Sequence, residues 1–132
     1  MIKREWFLTA AASVACLVGA VALLMPQLLL ESKGIAANPA ANIWMREVGA
    51  LLTAAGVVAF LVRHADNSPP LQAVFAGNIV LQLGLLPIEP LVYANGIITR
   101  LSGIIPNTML HVVLAAGFAF YLVRMRRTAS MS

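Results

Sequence analysis

His111 and Asn107 lie four residues apart inside the last apolar run, 104–121, and so share one helix face. Asn78 and Gln82 repeat that spacing in the preceding run. Hydrocarbon offers no water to such groups, so they must satisfy one another, bind a polar ligand or handle a proton. An imidazole can do all three, and amides at its level can orient it or tie helices together. A third run brings Arg46 and Glu47. Glu47, Ala50 and Ala54 form one stripe and Gly49, Thr53 and Gly56 a neighbouring one, so the Glu47 carboxylate is expected to point into the bundle.

Several chemistries do not fit. A zinc site needs three or four protein ligands, and one deep histidine with one acid falls short. Cys16 is the only cysteine, which rules out C-x-x-C exchange and an internal disulfide within this chain. Asp66, the only aspartate, and His64 fall on the opposite side from His111, which disfavours a Ser-His-Asp set and a bis-histidine haem. There is no phosphate-cradling glycine loop. His64, in a polar turn, reads as solvent-facing, and Glu89, between Pro87 and Pro90, reads as solvated.

The elements that would hold these groups follow from composition. Of 132 residues 61% are hydrophobic and 11% charged, with a mean hydropathy of +0.88. Soluble domains carry about 25% charged residues, so this is the composition of an integral membrane protein. No Lys, Arg, Asp or Glu occurs in 6–30, 48–62, 67–88 or 101–123. A spanning helix takes about 20 residues. The chain is therefore expected to be a single all-α membrane domain, 1–132, a four-helix bundle with spans near 6–30, 43–62, 71–87 and 104–123. Residues 91–102 read either as an interfacial amphipathic helix or as a re-entrant approach to the last span. Pro106 is either an N1 proline or a kink.

The net charge of +4 does not point to nucleic acid, because the cations sit at span ends. Lys3, Arg4, Arg63, Arg124, Arg126 and Arg127 fall on one side, against Lys33, Arg46 and Arg100 on the other. The positive-inside rule then puts both termini in the cytoplasm of a bacterial inner membrane. Residues 1–5 before an apolar run resemble a signal peptide, but 6–30 exceeds an h-region of about 7–15 residues and reads as an uncleaved span. Cys16 after Ser13-Val14-Ala15 only superficially resembles a lipoprotein site and reads as a small packing or lipid-facing residue.

Depth brings the polar groups to one level. At 1.5 Å per residue His111 lies roughly 10 Å below residue 104, Gln82 about 6 Å and Asn78 about 12 Å below residue 86. His111, Asn107, Gln82 and Asn78, with Glu47 and Arg46 nearer the surface, are thus expected to converge in the outer half of the bundle. Glu47 could also pair with Arg46 or Arg100 at the interface.

Arg46-Glu47-x-Gly49 followed by Leu51-Leu52-x-x-x-Gly56, with Pro106-Asn107 leading to His111, resembles small four-helix bacterial membrane proteins of the DoxX/DoxD-like kind over roughly residues 42–125. The resemblance implies a four-helix bundle, sometimes a membrane subunit of quinone or thiol-redox systems; no redox cysteine motif stands in this chain, and no site residue carries over. Three functions are expected in descending order. The first is binding of a lipophilic molecule (quinone, isoprenoid or lipid) with its head on His111, Asn107 and Gln82. The second is a structural or accessory subunit that docks on a larger membrane partner or on itself. The third is an enzyme or proton-coupled carrier using His111 and Glu47, disfavoured by four short spans without an inverted repeat.

Overall fold

The computed structural model describes residues 3–36 and 38–129, and among these every regular element is a helix. Met1 and Ile2 of the signal-like start, Ala37 of the first loop and the last three residues lie outside the described residues. In chain order the helices are α1 (Arg4–Leu24), α2 (Pro26–Ser32), α3 (Pro39–Leu61), α4 (Pro69–Leu85), α5 (Ile88–Ala94) and α6 (Leu101–Ala129). Four stretches are long and apolar enough to cross a membrane: Arg4–Leu24, Pro39–Leu61, Pro69–Ala94 and Leu101–Thr128.

Prolines set most of the boundaries. The run 6–30 is two helices, because Pro26 cannot donate to the helical ladder and forces Met25 out of helical geometry (φ −131°, ψ 53°). α3 starts at Pro39 rather than at 43, since the Asn38 side chain accepts from the amides of Ala40 (2.9 Å) and Ala41 (3.3 Å). The third apolar stretch breaks at Leu86 and Pro87, and α5 carries Glu89 and Pro90 inside a new short helix. The remainder of 91–102 turns at Gly96, whose φ of 72° suits glycine. Pro106 lies within α6, which begins at Leu101, so it is an interior proline and not an N1 residue.

The long helices pack as two antiparallel pairs, α1 along α3 and α4 along α6. Glycines decide the first seam. A Cβ on Gly49 would stand 2.5 Å from the Leu23 amide nitrogen, and one on Gly19 would stand 2.8 Å from that of Thr53. Here the backbones themselves touch. Further along, Cys16 lies in the same seam: a Cβ on Gly56 would meet its sulfur at 2.6 Å. Thr53 returns its hydroxyl to the Gly49 carbonyl at 2.8 Å, which leaves no free donor in the seam.

The two pairs join most fully at the end that carries both termini. Phe7 of α1 meets Phe118 edge-on at 5.0 Å between centroids, and Phe118 meets Phe75 of α4 at 5.4 Å. Leu8 and Phe75 are wholly buried in this cluster. Arg4 donates to the Ala65 carbonyl and to the Met125 sulfur, while Asn67 Nδ2 donates to the Met125 carbonyl at 2.8 Å. The far end is tied through backbone: Thr99 and Arg100 amides both donate to the Lys33 carbonyl, at 3.1 and 3.2 Å.

Gly49→Ala should force α1 and α3 apart and lower stability by about 1–3 kcal/mol, as other overpacked seams do. Gly77→Ala in α4 meets open space and should change stability by less than about 0.5 kcal/mol. Reversible unfolding in mixed micelles with rising SDS measures both. Equal midpoints for the two variants would refute the close seam.

Candidate functional site

The faces of α4 and α6 meet through three side chains. Within α6, Asn107 Nδ2 stands 3.2 Å from His111 Nε2, one helical turn on. Across the seam, His111 Nδ1 stands 2.6 Å from Gln82 Oε1. The chemistry of the amides gives this chain a direction. Gln82 Oε1 can only accept, so Nδ1 carries the hydrogen; Asn107 Nδ2 can only donate, so Nε2 offers its lone pair. Both requirements are met by one neutral tautomer, with the proton on Nδ1. Gln82 is buried, at 6% exposure, and Asn107 and His111 are half-buried.

Other residues singled out from the sequence lie elsewhere. Asn78 turns its amide back to the Val74 carbonyl of its own helix at 2.9 Å, so it does not join the histidine. Arg46 and Glu47 are exposed. The expectation that Glu47 points into the bundle is overturned: the stripe of Gly49 and Gly56 is the one that turns to α1, leaving Glu47, Ala50 and Ala54 outside. Since α3 packs along α1 and not along the α4–α6 seam, Glu47 and Arg46 stand apart from His111. Arg100 donates to the Glu31 carbonyl at 3.2 Å.

Two charged residues that read as loop polarity are instead enclosed beside this site. Lys33 and Glu89 form an ion pair in which each side chain is only 14% exposed. Glu89 is therefore not solvated. Its position follows from α5, which continues past the break at Leu86 and Pro87 and brings Glu89 to Lys33 in the segment after α2. The Lys33 backbone is fixed by the Thr99 and Arg100 amides, and Gly103 in the first turn of α6 lies so close that a Cβ there would be 3.0 Å from Lys33 Cα. Burial pushes the Lys33 ammonium below the ordinary lysine range.

Glu89 Oε2, Thr108 Oγ1 and Asn42 Oδ1 are buried with no hydrogen-bond partner among the described residues. Thr108 follows Asn107 on α6. Sequence spacing held no signal for the Lys33–Glu89 pair, because 55 residues and three helix breaks lie between the partners. The prolines flanking Glu89 were the visible hint, since they bend the chain just where its charge would otherwise leave the bundle. Among the described residues no three His, Cys, Asp or Glu side chains gather as metal ligands would. What the cluster offers is hydrogen bonding: a fixed neutral imidazole, two amides, a hydroxyl and an enclosed ion pair.

Comparison with protein-family models, curated proteins and solved structures finds no match for this chain.

Two double-mutant cycles test these contacts. Gln82→Leu with His111→Leu should show a coupling of about 0.6–1.7 kcal/mol, the range for hydrogen bonds between membrane helices. Glu89→Ala alone should destabilise by about 3 kcal/mol by leaving Lys33 enclosed without a counterion, and adding Lys33→Met should restore much of the loss. Additive single effects in either cycle would show that the pair makes no bond in the folded protein.

Proposed function

We propose that this protein is a multi-pass protein of a bacterial inner membrane, both termini cytoplasmic, that holds the polar head of a lipophilic molecule in the outer half of its bundle. The ligand classes that fit are a quinone, an isoprenoid or a lipid. The observation that carries this reading is that two buried oxygens, Glu89 Oε2 just beyond α4 and Thr108 Oγ1 next to Asn107 on α6, have no hydrogen-bond partner among the described residues, at the end of the α4–α6 seam that holds the Asn107–His111–Gln82 chain. Buried polar atoms without partners are costly, and a head bearing a hydroxyl and a carbonyl would supply what both lack. In this reading His111 is a positioning residue: both its nitrogens are engaged within the chain, so it shapes the seam and leaves the direct contacts to Thr108 and Glu89.

That same closure of the histidine favours a second reading, an accessory subunit of a larger membrane complex. The Asn107–His111–Gln82 chain then serves only as a strut between α4 and α6.

Native mass spectrometry of the protein, extracted from its own membranes in mild detergent, separates the two. The first reading expects one small apolar molecule per chain. Thr108→Val, which keeps the shape and removes the hydroxyl, should reduce its retention about tenfold with helical content unchanged. Recovery of the bare chain, or full retention by the variant, would sink it. Recovery in fixed ratio with another protein, without the small molecule, would establish the second reading.

A further inference from the structure

The end of the bundle that carries both termini holds a groove of about 530 Å³, bounded by the start of α1, the turn after α3 and the last turns of α6. Four cations line it: Lys3, Arg4, Arg63 and Arg124. Among the described residues that line it the one carboxylate is Glu5, and that charge is already shared, 3.8 Å from Lys3 and 3.4 Å from His64. The described lining therefore carries more positive than negative charge.

Two of the cations are held in place by neutral groups, which fixes their position without cancelling their charge. Arg4 donates to the Ala65 carbonyl and the Met125 sulfur. Arg63 donates to the Phe60 carbonyl at 2.6 Å and stacks 3.6 Å above the Phe60 ring. Tyr121 also lines the wall, the residue type enriched where hydrocarbon gives way to headgroups. The groove thus lies at the end of the apolar columns, where Arg63 and Arg124 close two of the long apolar stretches, and basic pockets between membrane helices at such ends suit anionic headgroups.

We infer that this groove binds the phosphate of an anionic phospholipid, with the guanidinium groups of Arg4 and Arg63 as its anchoring donors and Lys3 adding charge at the rim. Guanidinium presents a planar set of donors that matches two phosphate oxygens at once, and its charge persists at every physiological pH. The acyl chains would lie against the exposed apolar flanks of the helices. This site is at the opposite end from the Lys33–Glu89 cluster and stands or falls independently of it.

The test is native mass spectrometry of the full chain in detergent with equal amounts of added phosphatidylglycerol and phosphatidylcholine, with inorganic phosphate as a separate arm. The wild type should retain phosphatidylglycerol preferentially. Removing charge with Lys3→Gln at the rim and Arg63→Gln at the anchor should cut that preference about fivefold each, about 25-fold together. Lys3 is 76% exposed, so Lys3→Gln reports on binding even if Arg63→Gln perturbs the turn. Equal retention of the two lipids by the wild type would overturn the inference, as would an unchanged preference in the variants. Displacement of phosphatidylglycerol by an equal concentration of inorganic phosphate would assign the groove to free phosphate and overturn the lipid assignment.

Discussion

Apolar attraction cannot hold these helices together, because in a bilayer the alternative to a neighbouring leucine is an equally apolar lipid tail. Association must come from close contact and from polar groups that have nowhere else to go. The protein uses the two means in different places. In the α1–α3 seam the backbones approach through Gly19, Gly49 and Gly56, the Thr53 hydroxyl bonds within its own helix, and the Cys16 thiol donates across to the Thr53 carbonyl. In the α4–α6 seam no glycine brings the backbones so close, Gly77 and Gly84 having open space around them, and the tie is the directed chain through His111. Remove either device and the helices of that pair lose their reason to prefer each other over lipid.

The same constraint explains the ends. Where apolar columns stop, carbonyls become available, and long side chains reach across to them: Arg4 to Ala65, Asn67 to Met125, Arg100 to Glu31. These ties link the two helix pairs without requiring a buried carboxylate at each crossing. One carboxylate is enclosed all the same, that of Glu89 with Lys33, at the end of the α4–α6 seam that holds the one deep histidine. Chemistry is thereby divided between the ends, with hydrogen-bonding capacity at one and a groove lined by cations at the other.

Much of this could be read from residue order. Charge-free runs located four helices long enough to span, and depth counting put His111 at a level between Asn78 and Gln82 on the neighbouring helix, of which Gln82 is the one it meets. The reading failed where three-dimensional choices have no local signature. Glu47 was assigned inward from one of two adjacent stripes, and the stripe with the glycines took the seam because only it allows backbone contact. Asn78 lay at a suitable depth, but its amide found its own helix's carbonyl, a competing bond always within reach. Lys33 and Glu89 looked like loop charges because their meeting depends on proline joints at residues 26 and 87 turning two short helices toward each other.

Those joints bear on how the protein fits a bilayer. The 17 residues of α4 rise about 26 Å at 1.5 Å per residue, short of a hydrocarbon thickness of about 30 Å. The seven residues of α5 complete the column across a hinge at Leu86 and Pro87. The apolar height of that column therefore depends on the break at Leu86 and Pro87, where Pro87 lacks a backbone donor, as well as on residue count. A straight helix answers a thicker or thinner membrane by tilting as a rod, which would shear every contact along it. A column in two segments can absorb the mismatch at its joint, leaving the α4–α6 seam, and the histidine within it, in register.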